Sequence, residues 1–297
     1  MERQTLLERL RGAFPAAITP MTETGDVDHS ALAENLHWMN TLGFAGYLLL
    51  GSTGEQVHLS EFERALVLEV GRRNIPDELI LIAGTGLAGT RTTIDETKQA
   101  AKAGADVALI VTPSYYQKAM SAAALTEHYR AVADSSPIPI LLYSVPGVTG
   151  ITIPAAVVEE LASHPNIIGM KNSGSDAQLA SGYRAAAGAE TFVILAGSAH
   201  AAAGFLLADL ADGVILAAAN VAPKASVALV QAARRGDLAA SREHAATLAR
   251  VSDEVGRFGI AGWKAGVEAR GHHGGPVRSP LRNLTLEEKA IIIRGTT

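Results

Sequence analysis

The feature that most constrains the fold of this chain is a regular alternation of short apolar runs with longer polar segments. Apolar runs bounded by glycine, proline or small polar residues are typical of buried strands. Such runs occupy residues 12–20, 46–50, 79–83, 107–111, 138–143, 167–170, 192–196 and 213–216. The segments between them show helical signals, such as the capping box from Ser60 to Glu63. The alternation therefore predicts βα units with parallel strands.

The number of these units predicts the architecture of the whole chain. Eight βα units within 297 residues indicate an α/β fold, a (β/α)8 TIM barrel. Beyond Pro223 the pattern is helical only, with predicted helices at residues 225–235, 238–258 and 263–270 and a last one capped by Thr285. We therefore expect a barrel with the catalytic site over residues 1–222 and a C-terminal helical region, residues 223–297, packed on it.

The composition limits the partners and the compartment of the protein. A net charge of −5 and a pI near 6.0 favour neither nucleic acid nor an anionic membrane as a partner. The absence of cysteine excludes disulfides, thiolate nucleophiles and cysteine-bound metals, and it fits a reducing compartment. Residues 199–219 are apolar, but Asp209 and Asp212 interrupt them, which predicts a helix and a strand rather than a membrane span. Residues 1–11 mix acids and bases, unlike a signal peptide, so the expected location is cytoplasmic.

One lysine stands where a strand is expected to end. Residues 166–174 read NIIGMKNSG, so the apolar run 167–170 places Lys171 at the C-terminal end of the sixth strand. An ammonium group that is partly withdrawn from water is costly unless it is paired or loses its proton. A neutral lysine amine attacks carbonyl groups and forms Schiff bases. The alternative is a lysine that simply extends into solvent.

Other polar groups are expected beside this lysine, because the active sites of such barrels lie at the C-terminal ends of the strands. The groups at the predicted strand ends are Thr19, Ser52, Thr53, Thr112, Tyr116, Tyr143, Lys171, Ser173, Gly197 and Asn220. One amine, two phenols and several hydroxyls are the groups that iminium chemistry on a 2-oxo acid requires. The other lysines fall elsewhere: Lys98, Lys102, Lys224 and Lys289 on helices, Lys118 after a turn and Lys264 in the C-terminal region.

Each of these motifs also has a purely structural interpretation. Residues 51–55, which read GSTGE, could form only a strand-to-helix turn, or their N–H and hydroxyl groups could hold a carboxylate. Tyr115 and Tyr116 could be an aromatic core or interface pair. Tyr143 could line the barrel with its hydroxyl satisfied by a neighbour.

Two further motifs first suggest a cofactor or a metal. Residues 84–89, which read GTGLAG, match the spacing of a dinucleotide-binding loop, but the acid that such a site needs should follow the next strand and Asp106 precedes it. His272 and His273 lie in a glycine-rich stretch without an evident third ligand, so a surface loop is expected there. We therefore expect neither a cofactor nor a metal.

Four motifs together resemble one known family. The segments 51–55 (GSTGE), 115–116 (YY), 143–146 (YSVP) and 169–171 (GMK) are similar in order and type to the dihydrodipicolinate synthase / N-acetylneuraminate lyase superfamily. The resemblance implies a (β/α)8 barrel, a class I, metal-free pyruvate aldolase or related lyase, and a homotetramer built as a dimer of dimers. The segments 136–139, 257–260 and 274–281 are similar to the 4-hydroxy-2-oxoglutarate aldolase branch, which produces pyruvate and glyoxylate.

The same resemblance implies a role for each site residue. Lys171 would form the Schiff base, and Tyr143 would move the proton of the substrate hydroxyl. Tyr116 would complete the proton relay, reaching into the site of a neighbouring subunit. The residues that would bind the 2-oxo acid are Ser52 and Thr53 at its carboxylate, and Ser173, Gly197 and Ile215 along the pocket, with Asn220 as a further candidate.

Several positions depart from the family pattern and leave the aldehyde half of the substrate open. The synthase has an arginine where Val148 stands and an asparagine where Ser144 stands. Losing a charge-assisted carboxylate contact costs on the order of 2 kcal/mol, which argues against the synthase reaction. The aldolase branch usually has asparagine in place of Thr53 and aspartate in place of Asn172. The alternatives are the synthase, a lyase or dehydratase of a sugar-derived 2-keto-3-deoxy acid, and a catalytically silent barrel with a binding or regulatory role.

Overall fold

Eight parallel strands form the sheet that organises the molecule. In the computed structural model, which describes residues 2–188 and 190–296, they are β1 (Ala13–Pro15), β2 (Gly46–Leu49), β3 (Ile80–Gly84), β4 (Val107–Val111), β5 (Ile140–Ser144), β6 (Ile167–Asn172), β7 (Val193–Ala196) and β8 (Gly213–Leu216). Consecutive strands pair, and β8 pairs with β1. A parallel bridge between Ala16 and Leu48 joins β1 to β2. The sheet therefore closes on itself, and the predicted (β/α)8 barrel is confirmed.

Helices separate the strands and surround the barrel. They are α1 (Arg3–Leu10), α2 (His29–Met39), α3 (Glu61–Asn74), α4 (Thr90–Lys102), α5 (Ala122–Ser135), α6 (Pro146–Thr149), α7 (Ala155–Leu161), α8 (Ala177–Ala187), α9 (Ala199–Leu207), α10 (Pro223–Arg234), α11 (Leu238–Glu254), α12 (Gly259–Glu268) and α13 (Leu286–Thr296). The capping box predicted at Ser60 is present, with Glu63 as its partner. In the apolar stretch 199–219, α9 and β8 are the predicted helix and strand.

Helix α1 was not among the predicted elements. Its apolar residues Leu6, Leu7 and Leu10 are buried in the cluster that fills the barrel interior. Arg3 and Arg9 donate to backbone carbonyls that precede β6 and β3. The helix therefore covers the end of the barrel at which the strands begin, and it leaves the opposite end for polar side chains.

The strands are apolar along their whole length because both of their faces are buried. On β2, Leu48 belongs to the cluster inside the barrel, whereas Tyr47 and Leu49 belong to the cluster between the sheet and the helices. The same alternation holds on β3, where Ile82 faces inward and Ala83 outward. Continuous apolar runs, rather than alternating ones, are the expected sequence pattern of such strands.

Beyond β8, the chain continues in helices, as expected. Helix α10 contacts β1, β8 and α9, which is the place of the eighth helix of the barrel. Helix α11 packs on α9 and α10, and α13 packs on α11 and α12. A division of the chain between residues 222 and 223 stays a prediction. Within the described residues, no helix is both long enough and apolar enough to cross a membrane.

Some element boundaries differ from the predicted ones, for tertiary reasons. β6 extends to Asn172, two residues beyond the apolar run, because its end remains hydrogen-bonded between β5 and β7. Gly197 N donates to the Asn172 carbonyl at 2.7 Å, and Ser173 N donates to the Ser144 carbonyl at 2.9 Å. Hydrogen bonds to neighbouring strands therefore extend a strand that sequence pattern alone would end earlier.

Candidate active site

Lys171 lies inside the sixth strand rather than at its last position. It pairs with Tyr143 of β5 and Leu195 of β7, and only 5% of it is exposed. The prediction that the strand ends at residue 170 was wrong, but the amine still stands near the C-terminal edge of the barrel. The low exposure excludes the alternative in which this lysine extends into solvent.

The pairing of β5 with β6 places a phenol beside this amine. Lys171 Nζ lies 4.3 Å from the centroid of the Tyr143 ring, and Ser173 Oγ donates to the Tyr143 hydroxyl at 3.5 Å. Burial alone would raise the pKa of Tyr143, but the charge of Lys171 and hydrogen bonds with Ser173, Lys171 and Ser52 outweigh burial and lower it. A phenol whose phenolate form is stabilised in this way can accept a proton from a substrate hydroxyl.

Gly197 follows β7 and lies directly against the amine. A Cβ atom at this position would lie 2.1 Å from Ser173 Oγ and 2.9 Å from Lys171 Cε. A methyl group at this position would force both side chains to shift, so the requirement here is one of space. The structure therefore brings together four of the predicted site residues: Lys171, Tyr143, Ser173 and Gly197.

The turn after β2 brings two further hydroxyls to the same end of the barrel. Residues Ser52–Gly54 form a short 3-10 turn, and Ser52 lies close enough to Tyr143 to help lower the pKa of its phenol. Thr19 Oγ1 donates to the Gly54 carbonyl at 2.8 Å and holds this turn against the segment that follows β1. The turn therefore has structural contacts at the same end of the barrel as Tyr143, and its role in holding a carboxylate stays a prediction.

A cavity of about 390 Å³ lies beside Tyr143. Ser52 and Thr53 line it together with Tyr143, and apolar side chains form much of the remaining wall, among them Val148, Ile260, Trp263 and Leu281. Of the lining residues in the described part of the chain, His58 alone has a side chain that can carry a positive charge. Lys171 does not line this cavity, but the Tyr143 ring borders both the cavity and the amine.

Two predicted site residues, Tyr116 and Ile215, form no hydrogen bond or ring contact with Lys171 in the described part of the chain. Tyr116 is 71% exposed and makes an edge contact with the ring of Tyr115 at 4.9 Å between centroids. Ser114 of the same loop lines the cavity, whereas Tyr116 does not. Ile215 is fully buried on β8, in the cluster inside the barrel that also contains Tyr143. Roles for Tyr116 and Ile215 in binding or catalysis stay predictions.

Other strand-end residues have structural contacts. The Asn220 side chain accepts from Ile18 N and donates to the Ala16 carbonyl, so it joins the ends of β8 and β1. Thr112 Oγ1 donates to Thr149 Oγ1 at 3.0 Å. These contacts hold the rim of the barrel together.

The two motifs that first suggested a cofactor or a metal also have structural contacts. Asp106 accepts from Leu81 N at 2.9 Å, at the start of β4. His272 stacks on Trp38, with 3.7 Å between ring centroids, and His273 Nε2 lies 2.8 Å from a carboxylate oxygen of Glu34. Across residues 2–188 and 190–296, no group of three or more His, Asp or Glu side chains is arranged to hold a metal ion.

Sequence reasoning missed a second buried lysine. The sequence places Lys264 of α12 in the C-terminal region, away from the predicted strand ends, but it is only 1% exposed and its Nζ lies 2.6 Å from Glu55 Oε1. Burial lowers the pKa of Lys264, and the carboxylate of Glu55 opposes that effect. No local pattern connects two residues so far apart in the chain. The only available signal was an acid in the GSTGE motif that needs a partner if it is buried.

The chain is similar to known proteins over nearly its whole length. The dihydrodipicolinate synthetase family model matches residues 9–294. The "probable 4-hydroxy-2-oxoglutarate aldolase, mitochondrial" of Emericella nidulans is 33% identical over 286 residues, which are 95% of this chain and 92% of that protein. The 4-hydroxy-tetrahydrodipicolinate synthase of Neisseria gonorrhoeae is 37% identical over 281 residues, which are 93% and 94% of the two chains.

Solved structures of similar proteins share the whole fold. The dihydrodipicolinate synthase of Acinetobacter baumannii, solved in complex with pyruvate, superposes with a TM-score of 0.88 at 30% identity and covers 96% of this chain and 97% of its own. A monomeric dihydrodipicolinate synthase variant superposes with a TM-score of 0.91 at 26% identity, over 97% and 96% of the two chains. With a match that covers nearly its whole length, the chain belongs to the dihydrodipicolinate synthetase family and is a carbon–carbon lyase.

Proposed function

We propose that the protein is a class I aldolase that forms a Schiff base between Lys171 and a 4-hydroxy-2-oxo acid. Its best candidate reaction is the cleavage of 4-hydroxy-2-oxoglutarate to pyruvate and glyoxylate. The observation that carries the proposal is the buried Lys171 amine, 4.3 Å from the centroid of the Tyr143 ring. An amine and a phenol with a lowered pKa are the two groups that aldol cleavage through an iminium requires.

The covalent step belongs to Lys171. Its neutral amine attacks the C2 ketone, and loss of water from the carbinolamine leaves an iminium, which withdraws electrons from C3. Tyr143 accepts the proton of the C4 hydroxyl, the C3–C4 bond breaks, and its electron pair forms an enamine while the aldehyde leaves. Protonation of C3 and hydrolysis of the iminium release pyruvate and restore the amine. The reverse sequence is an aldol addition.

The remaining site residues bind and orient the acid. Ser52 and Thr53 hold the carboxylate of the pyruvate half through their hydroxyl and backbone N–H groups, and their place beside Tyr143 supports this role. Gly197 leaves space for the substrate next to the amine, and Ser173 borders that space. Ile215 contributes an apolar surface from inside the barrel.

Tyr116 is proposed to complete the proton relay in the site of a second subunit. Its 71% exposure and its absence from the lining of its own cavity support a role outside its own chain. We propose a homotetramer built as a dimer of dimers. The name of one structural neighbour describes a monomeric variant, so light scattering is a direct check. A cytoplasmic location also stays a prediction, since the name of the fungal relative places that protein in mitochondria.

The residues that line the cavity help to identify the aldehyde half of the substrate. Val148 stands where the synthase has an arginine for the carboxylate of its aldehyde, and it does line the cavity. This favours the aldolase named for the fungal relative over the synthase named for the gonococcal one. His58 is the lining side chain that can meet a second carboxylate. The alternatives are the synthase, a lyase or dehydratase of sugar-derived 2-keto-3-deoxy acids, and a silent binding protein.

The test is pyruvate release from 4-hydroxy-2-oxoglutarate, coupled to lactate dehydrogenase, with Lys171→Ala as the matched control. We expect release from the unaltered protein and none above background from the variant. Aspartate semialdehyde with pyruvate, and a panel of 2-keto-3-deoxy sugar acids, are assayed in parallel. Turnover of one of these instead would transfer the assignment to that alternative, and no turnover of any of them would favour the silent barrel.

A further inference from the structure

Glu55 follows the turn that carries Ser52 and Thr53, and its backbone has a conformation that residues other than glycine rarely adopt. Its φ is +56°, in the left-handed region, between two short 3-10 turns. A residue other than glycine persists there only when its surroundings hold it. The place of the turn therefore depends on what holds Glu55.

The groups that hold Glu55 come from distant parts of the chain. Its side chain is fully buried. Lys264 Nζ lies 2.6 Å from Oε1, while Arg278 N donates to Oε2 at 2.9 Å and His58 Nδ1 lies 3.3 Å from Oε2. A buried carboxylate is tolerated only with partners of this kind, and an ammonium is the strongest of them.

Lys264 is itself held in one place. Its Nζ also donates to the Pro276 carbonyl at 2.6 Å. The loop that contains Pro276 lies close to α12, because a Cβ atom on Gly274 would lie 2.3 Å from the Lys264 carbonyl oxygen. Helix α12 and this loop are therefore packed together where they present the ammonium to Glu55.

The Glu55–Lys264 ion pair joins two walls of the cavity. Ser52 and Thr53 line one side, and Ile260 and Trp263 of α12 line another. Lys264 directly follows Trp263 in the chain, and Glu55 follows the turn by one residue. A change in the length or charge of this pair therefore moves one wall relative to the other.

We propose that Glu55 and Lys264 are positioning residues whose buried ion pair sets the place of the Ser52–Thr53 turn and thereby the binding of the pyruvate carboxylate. The inference rests on the Schiff-base function proposed above. Neither residue touches the substrate, and neither alters the amine of Lys171. Disturbing the pair therefore weakens the binding of pyruvate and leaves covalent attachment possible once pyruvate is bound.

The test uses the full-length protein, pyruvate and borohydride, which traps a reduced pyruvyl group on Lys171 and does not depend on the aldehyde half. Glu55→Asp and Lys264→Arg keep both charges and change the reach of one side chain. Lys264→Met removes a charge. Lys289→Met is the matched control, because Lys289 makes an exposed ion pair with Glu268 in the same C-terminal region.

In the three variants of the buried pair, we expect the pyruvate concentration at half-maximal adduct to rise about tenfold or more. At saturating pyruvate, the full amount of adduct forms, and the control keeps both values. A half-maximal concentration within about twofold of the unaltered protein in folded Glu55→Asp and Lys264→Arg would show that the pair supports only the fold. A loss of maximal adduct at an unchanged half-maximal concentration would equally overturn the proposal.

The two proposals fail in different ways. If the unaltered protein forms no adduct at any pyruvate concentration, the Schiff-base function is wrong. If it forms the adduct and the variants bind pyruvate as well as it does, only the positioning role is wrong. Circular dichroism identifies variants that do not fold. Should Lys264→Met be one of these, the two charge-preserving variants decide the question.

Discussion

At the scale of single residues, the candidate site is constrained by space at one position and by charge at another. Gly197 faces Ser173 and Lys171 at distances that leave no room for a methyl group. Tyr143 is 5% exposed, so its hydroxyl titrates under the influence of the ammonium beside it rather than of bulk water. One substitution tests each constraint, and each test has a different readout.

Replacing Gly197 with alanine should displace the amine. The added methyl group would overlap Ser173 Oγ and crowd Lys171 Cε, so we expect pyruvate release to fall roughly 100-fold, with a stability loss of about 1–3 kcal/mol. Steady-state kinetics and thermal unfolding measure the two effects. Gly204→Ala is the control, since a Cβ on that exposed helical glycine meets nothing within 4 Å. Near-normal activity of Gly197→Ala would contradict the close contact.

Replacing Lys171 with methionine should raise the pKa of Tyr143. The ammonium lowers this pKa against the effect of burial, so without the charge, burial prevails and the phenolate forms only at higher pH. An ultraviolet titration of tyrosinate in both proteins measures the change. Burial holds the pKa of Tyr47, Tyr129 and Tyr183 well above the ordinary value, so these side chains contribute little near pH 10. Identical titration curves would refute the coupling.

At the scale of elements, a side chain that caps its own helix can also bind a distant part of the chain, which local sequence signals do not predict. Glu63 completes the capping box of α3, as its spacing from Ser60 indicates. The same carboxylate accepts two hydrogen bonds from Arg278, at 2.6 and 2.9 Å, which connects α3 to the C-terminal loop. These bonds lower the pKa of Glu63 to about 2. A local cap is thereby also a long-range contact.

Buried His128 on α5 should make stability depend on pH. Its Nδ1 lies 2.9 Å from Thr90 Oγ1 of α4, and burial lowers its pKa from 6.5 to about 4. The unfolded chain binds this proton first as pH falls, so stability is full above pH 6.5 and declines between pH 6.5 and 4. The loss is on the order of 3 kcal/mol.

Denaturant unfolding of the unaltered protein and of His128→Gln across this pH range tests the effect. The variant should lose less stability on acidification, and the difference between the two proteins should be constant above pH 7. Parallel curves down to pH 4 would show that His128 is not responsible.

At the scale of the whole molecule, the barrel explains why the candidate site forms and why one residue predicted to belong to it lies apart. Closure of the sheet brings the ends of β2, β5, β6 and β7 to one rim, where Ser52, Tyr143, Lys171 and Gly197 stand. Tyr116 follows β4 at the same rim but lies mostly exposed, next to Tyr115. Exposed tyrosines at a rim are typical of a surface that a second copy covers.

Subunit mixing tests this assignment of Tyr116. Lys171→Ala and Tyr116→Phe should each be nearly inactive alone. If Tyr116 serves the neighbouring site, hybrid dimers contain one complete site, so random mixing should restore about a quarter of the activity of the unaltered protein. If Tyr116 acts in its own chain, the mixture stays inactive. A monomer in light scattering would remove the basis of the prediction.

Much of the fold and the centre of the site could be predicted because they depend on local pattern. Continuous apolar runs indicate strands buried on both faces, and the polar residue that ends such a run marks the rim of the barrel with the candidate site, as at Lys171 and Tyr143. Helix α1 was missed because its leucines, among many charges, do not show what they pack against. The extension of β6 to Asn172 was missed because neighbouring strands, not its own residues, hold it.

By itself, the sequence determined the alternation of strands and helices, the number of strands and the chemical groups at the strand ends. These follow from periodicity and residue type, which act over a few positions. Only the tertiary structure decided that Lys171 stands over the Tyr143 ring, that Gly197 must be small and that Glu55 is paired with Lys264. Such contacts join residues far apart in the chain, and the burial that removes water from both partners makes each partner necessary to the other.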